Sequence, residues 1–128
     1  MSRRKKIGRK VECIAYLSAT GDLRLTEKKE NTQERVIREY AKAHNIVIVG
    51  VVRRNGLGQA DSNHFFEEIV NLIQKKRVEG VIVINMRAIS MNEPDAYYKV
   101  GKVKEAGGKI FTVDEGELEM NIKFKEAG

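Results

Sequence analysis

The sequence predicts a three-layer α/β domain with a mainly parallel sheet flanked by helices. Two observations carry this reading. Four apolar runs, 11–18, 46–52, 78–84 and 109–113, lack the polar alternation of a half-exposed strand, which is the pattern of strands covered on both faces. The segments between them read largely as helices, so strand and helix alternate along the chain.

The elements follow in order. VECIAYLS (11–18) is β-rich and reads as a buried strand. GDLRLTEKKEN (21–31) is polar, and Gly21 and Asp22 predict that it opens a long loop. TQERVIREYAKAHN (32–45) predicts an amphipathic helix with Val36, Ile37, Tyr40 and Ala41 on one face. IVIVGVV (46–52) is a second buried strand. A loop with two glycines follows, and Asp61, Ser62 or Asn63 is expected to cap a helix that shows Phe66, Ile69, Val70 and Ile73 at helical spacing. This helix ends in QKKR, a basic turn that complements the helix dipole. VEGVIVI (78–84) is the third strand and NMRAISMN (85–92) a loop. Pro94 fits the first turn of a helix over roughly 93–106, which Gly107 and Gly108 end. KIFTV (109–113) is the fourth strand.

With 128 residues the chain fits one domain with a real core. No apolar run approaches a membrane span. MSRRKKIGRK lacks the apolar stretch of a signal peptide, so a cytoplasmic protein without membrane contact is expected. Cys13, the single cysteine, reads as a small core residue. His44 and His64 do not form a pair at metal spacing, and NGLGQ is too short for a dinucleotide fingerprint. No metal and no cofactor are expected.

The net charge of +6 is unevenly placed. Residues 1–10 hold Arg3, Arg4, Lys5, Lys6, Arg9 and Lys10 and no acid, while the remainder has 18 basic and 18 acidic residues. Such an arm gains non-specific phosphate affinity by counterion release, or serves only as a solubilising tail. Any DNA affinity is expected to come chiefly from these six residues. In a parallel sheet, ligands bind beyond the carboxyl ends of the strands, which directs attention to 18–30, 53–62 and 85–93.

Those segments hold a series of weak motifs in a fixed order: Tyr16-Leu17-Ser18-Ala19-Thr20-Gly21-Asp22, then Gln33 and Tyr40-Ala41, then Gly50-Val51, then Arg54-Asn55-Gly56-Leu57-Gly58-Gln59, then Met86-Arg87-Ala88-Ile89-Ser90-Met91. Order and spacing resemble the catalytic domain of the serine recombinases, the resolvase/invertase family, over roughly 11–116, with one residue missing near 57–63. The family patterns are Tyr-x-Arg-x-Ser, often with Thr-Asp after it, a glutamine opening a helix with a Tyr-Ala pair, a Gly-Val pair, Asp-x-Gly-x-Ser-Gly and Leu-Asp-Arg-Leu-Ser-Arg. The resemblance implies a sheet of spatial order 2-1-3-4 and, for the family, a serine that attacks a DNA phosphodiester while arginines hold its oxygens.

The polar positions depart from that pattern. Thr20 stands at the nucleophile position, Ser18 at the first arginine, Arg87 at the aspartate, Ala88 and Met91 at the two arginines that follow, and Asn63 or His64 at the arginine near the next helix start. A threonine hydroxyl is able to attack phosphorus. Losing one preorganised donor to a developing oxyanion costs ~10²–10³ in rate, and a phosphoryl site without its guanidinium clamp loses most of its electrostatic stabilisation. The expectation is a site kept in shape and lost in chemistry. Three functions compete: an inactive recombinase-like protein binding DNA or a partner recombinase in a mobile-element or phage setting; an active recombinase fragment with Thr20 as nucleophile; and a small-molecule or phosphate-binding domain using RRNGLG (53–58).

ELEMNIKFK (117–125) alternates strictly, with Leu118, Met120, Ile122 and Phe124 on one side. That is a strand period, not the long dimer helix of the family, and no DNA-reading domain is expected after it. The division expected is thus a basic arm (1–10), a resolvase-like domain (11–116) and a C-terminal strand (117–128). The strand pairs with a sheet edge, in its own subunit or in a homodimer whose acids and bases match across a two-fold axis.

Overall fold

The computed structural model describes residues 9–19, 22–55 and 58–119. A five-stranded sheet has the order β2-β1-β3-β4-β5, with β1 (Val11–Leu17), β2 (Ile46–Arg53), β3 (Gly80–Val83), β4 (Lys109–Thr112) and β5 (Gly116–Glu117). The first four strands are parallel and β5 is antiparallel to β4. The expected order 2-1-3-4 is therefore present, with one short strand added. The helices are α1 (Leu23–Ala43), α2 (Gln59–Gln74), α3 (Met86–Ile89) and α4 (Glu93–Glu105).

Two apolar layers hold the sheet. On one face Cys13, Ala15, Leu17, Ile82 and Phe111 pack with Ile37 and Ala41 of α1. On the other, Ile14, Tyr16, Val81, Val83 and Ile110 pack with Phe66, Ile69 and Ile73 of α2, Ile89 of α3 and Val100 and Val103 of α4. Alternate residues of β1 thus enter opposite layers, and both are buried, as a continuous apolar run requires. Cys13 is buried as expected, and burial pushes its thiol up to about 12.

Five expectations are corrected. The polar stretch 21–31 is no long loop: α1 begins at Leu23, because Asp22 accepts from the Arg24 amide and caps it. The second strand is not buried throughout. Among the described residues β2 has β1 as its one neighbour, and Val47, Val49 and Val51 are partly exposed along it. Its register slips at Val49, since Ile48 faces Cys13 and Gly50 faces Ile14; a bulge of this kind twists an edge strand and blunts it for further pairing. α2 starts at Gln59, ahead of the proposed caps, with Gly58 at its N-cap and no side-chain cap bond. Within 85–92 a short helix forms because Asn85 accepts from the Ala88 amide. The third strand is also shorter than its apolar run. α4 follows expectation, with Pro94 in its first turn and Gly107 at φ +89° after its end.

Of the C-terminal strand, Gly116–Glu117 pair with β4 of the same chain, and Leu118 N–H donates to the Ile110 carbonyl. Met120, Ile122 and Phe124 lie outside the described residues. Among the described residues no helix is long and apolar enough to cross a membrane.

Candidate functional site at the carboxyl ends of the strands

β1 and β2 end side by side, and α1 runs beneath both ends. The side chain of Gln33 clamps the chain as it leaves β1: Ser18 N–H donates to Gln33 Oε1 at 2.9 Å, and Gln33 Nε2 donates to the Ser18 carbonyl at 2.9 Å. One turn earlier, Glu30 ties the two loops together. Its Oε2 accepts from the amides of Ala19 (3.4 Å) and Asn55 (3.2 Å). Among the described residues its Oε1 makes no hydrogen bond, and it lies 3.8 Å from Arg53 Nη1. Arg53 reaches the Glu34 carboxylate at 2.7 Å, and Arg54 Nη1 donates to Ser18 Oγ at 3.4 Å. Tyr16 OH and Ser62 Oγ share a hydrogen bond that joins β1 to α2.

Thr26, Glu30, Gln33, Ile37 and Ala41 recur at helical spacing on α1, and all five are turned toward the body of the protein: Gln33 is half-buried and the rest are buried. The stripe is polar under the strand ends and apolar under the sheet. Glu30 is fully buried. Burial raises its carboxyl above the usual carboxylate range, against the amides of Asn55 and Ala19 and the charges of Arg53 and Arg54. A carboxyl raised in the folded state opposes folding once it charges. The penalty is absent below its ordinary value and grows as pH rises through the folded value. Glu30→Gln, which cannot charge, should therefore gain on the parent as pH rises from 4 to 7. Melting temperatures of both proteins across that range check this; a difference that does not change with pH argues against it.

The residues expected to act are brought together only in part. Ser18 is buried beside Arg54, in the loop that leads to Thr20. Thr20 itself lies outside the described residues, as do Arg3, Arg4, Lys5 and Lys6. Arg87 is exposed on α3, and its Nη2 donates to Met91 Sδ at 3.7 Å. Ala88 is buried in the core. Asn63 accepts from Lys99, a nearly buried cation that also pairs with Asp95 at 3.0 Å and sits 5.8 Å from the Phe66 ring centroid. Burial of Asp95 works to raise its carboxyl, but the bonds from Lys99 and Ser90 hold it below its ordinary value. His64 is exposed and pairs with Glu68. Arg9 pairs with Glu79 at 3.0 Å and Lys10 is exposed, both at the opposite, amino end of the sheet.

Arg53 and Arg54 entered from sequence only within RRNGLG (53–58), as a candidate phosphate-binding stretch, and Glu30 was not singled out. The one available signal was the i, i+4, i+7 run Thr26-Glu30-Gln33 leading into Ile37, hidden by reading 21–31 as loop. As built, Arg53 stands between two carboxylates, 3.8 Å from Glu30 and 2.7 Å from Glu34, and Glu34 is shared with Arg38 at 2.9 Å. Among the described residues no three of His, Cys, Asp and Glu gather at metal-binding distance.

No protein-family model matches the chain. No curated protein matches it. Two solved structures share its fold. A resolvase family site-specific recombinase from Streptococcus pneumoniae superposes with a TM-score of 0.73 at 18% identity, over 88% of this chain and 78% of that one. The N-terminal catalytic domain of TP901-1 integrase superposes with a TM-score of 0.69 at 18% identity, over 82% and 79% of the two chains. The likeness, at that identity, is one of fold.

Proposed function

We propose that this chain, which has the resolvase-type catalytic fold, does not cut DNA and acts by binding. DNA is held through the basic arm, Arg3 to Lys10, without sequence preference. The protein partner this implies is a second copy or an active recombinase, in a mobile-element or phage setting. One observation supports the loss of chemistry above the rest: Arg53, at the strand ends, is already engaged by carboxylates. A phosphoryl group in transfer carries spreading negative charge, and its stabilisation needs surplus positive charge aimed at it. Here Arg53 is engaged by Glu34 and lies near Glu30, and Arg87 is turned toward Met91. Ala88 and Met91 offer no charge.

The second reading, an active enzyme with Thr20 as nucleophile, is favoured by one contact, Arg54 Nη1 beside Ser18 Oγ. A single experiment separates the two. The full chain is incubated with supercoiled plasmid carrying its own genomic flanks, and with nicked duplex to trap a covalent adduct. No relaxed, recombined or covalently joined product is expected. Product that disappears in Thr20→Ala establishes the active reading instead.

A further inference from the structure

At the amino ends of the strands, opposite the candidate site, lies a hollow of about 700 Å³. Arg9, Lys10, Lys76, Arg77 and Lys109 line it, with Glu12 and Glu79 as the acids among them. Arg9 is matched by Glu79 at 3.0 Å and Lys109 by Glu117 at 3.7 Å. Among the described residues, Lys10, Lys76 and Arg77 have no carboxylate partner, and all three are exposed. Beyond residue 10 the chain is charge-neutral in sum, so an excess here is a polarisation of the body. We propose that this hollow seats the phosphodiester backbone of duplex DNA and extends the contact made by the basic arm. The proposal rests on the DNA-binding reading above.

Three features support it. The first is continuity. Arg9 and Lys10 are the last two cations of the arm and line the hollow themselves. The second is charge beyond structural need. The C-terminus of α2 carries the equivalent of about half a negative charge, and Lys75, Lys76 and Arg77 together exceed it. The third is the backbone. Lys76 has φ +61°, a left-handed position after a helix that glycine ordinarily fills. There lysine presents a cation at the rim of the hollow. Lys76 N–H donates to the Ile73 carbonyl and Arg77 N–H to the Leu72 carbonyl, which fixes both residues on a closed helix end rather than on a loose loop.

The test is fluorescence anisotropy of the full chain on a duplex of arbitrary sequence, at graded salt. Each phosphate contact contributes about 0.9 to the log–log salt slope. Lys76→Gln with Arg77→Gln should make the slope shallower by about 2, and affinity at 0.1 M salt should fall by roughly 60-fold, given equal binding extrapolated to 1 M. Arg77→Gln alone, which leaves the left-handed position untouched, should account for about half of the slope change. Lys28→Gln with Lys29→Gln, the same charge change on exposed residues of α1, should leave the slope in place. Binding by the full chain with an unchanged slope in the Lys76/Arg77 variant overturns the hollow and leaves the arm standing. An equal loss in the Lys28/Lys29 variant overturns it as a general charge effect. Lys76/Arg77-dependent binding of polyglutamate, with none of duplex, assigns the hollow to an acidic protein and overturns the DNA assignment. No binding of duplex by the full chain at low salt refutes the DNA-binding reading itself.

Discussion

Gly80→Ala should destabilise the fold by about 3 kcal/mol, the upper range for forcing extra volume into a packed core. Gly80 opens β3 and faces Lys109, which opens β4. A methyl group built on Gly80 would lie 2.3 Å from the Lys109 carbonyl oxygen and 3.0 Å from its carbonyl carbon. Both are backbone atoms, so no side-chain rotamer relieves the clash. The Lys109 amide also donates to the Glu79 carbonyl at 3.0 Å, which pins the two chains together at that point. Relief therefore means parting β3 from β4 at the first rung of their ladder, with β5 attached to the outer strand. At Gly58 and Gly116, by contrast, an added methyl meets nothing within 4 Å among the described residues. Urea unfolding of Gly80→Ala and parent measures the loss. A difference under 0.5 kcal/mol would contradict the close approach of the two strands.

Gly80 also marks the limit of what the sequence makes legible. The run VEGVIVI announces a buried strand because each face of β3 is covered and every residue from Gly80 to Val83 is buried. It does not announce why glycine stands at its start, since the reason is a carbonyl nearly 30 residues away. The same distinction runs through the molecule. β1 and β4 read correctly because burial on both faces leaves a continuous apolar pattern. β2 is as apolar as they are, yet it lies at the edge, and composition alone does not distinguish an edge from a centre. The first two turns of α1 were lost for the opposite reason. Their inward face is Thr26 and Glu30, so no apolar periodicity begins until Ile37. What makes those turns helical is the Asp22 cap. What buries their polar side chains is the pair of loops they hold.

The candidate site divides in the same way. Ser18 and Gln33 could be placed by order and spacing, and the structure puts one against the other. Glu30 could not, and for Arg53, present in the candidate stretch RRNGLG, the pairing could not, because both meanings lie across the fold: Arg53 with Glu34, Glu30 with the amides of Ala19 and Asn55. A count of arginines in the sequence shows that guanidiniums are available; it does not show that Arg53 is already engaged by carboxylates. Net charge misleads similarly. Eighteen bases against eighteen acids beyond residue 10 suggests a body indifferent to polyanions, whereas the acids and bases are not evenly mixed in space.

That separation alters the expected result of removing the arm. From sequence, deleting residues 1–10 should abolish nearly all affinity for DNA. The structure recommends a different cut, because removing Arg9 would unmask Glu79 inside the basic hollow. A chain lacking residues 1–8 loses Arg3, Arg4, Lys5 and Lys6 and keeps every described ion pair. With four phosphate contacts gone, the log–log salt slope should become shallower by about 3.6, and affinity at 0.1 M salt should fall by between three and four orders of magnitude. Its melting temperature should match the parent, which separates lost contact from lost folding. A remaining slope of about −2.7 is expected from Lys10, Lys76 and Arg77 if all three engage. Binding undiminished by the deletion would move the whole DNA contact onto the body and contradict the role given to the arm. Binding abolished by it, at every salt concentration, would leave Lys10, Lys76 and Arg77 as solvated charges with no phosphate to meet.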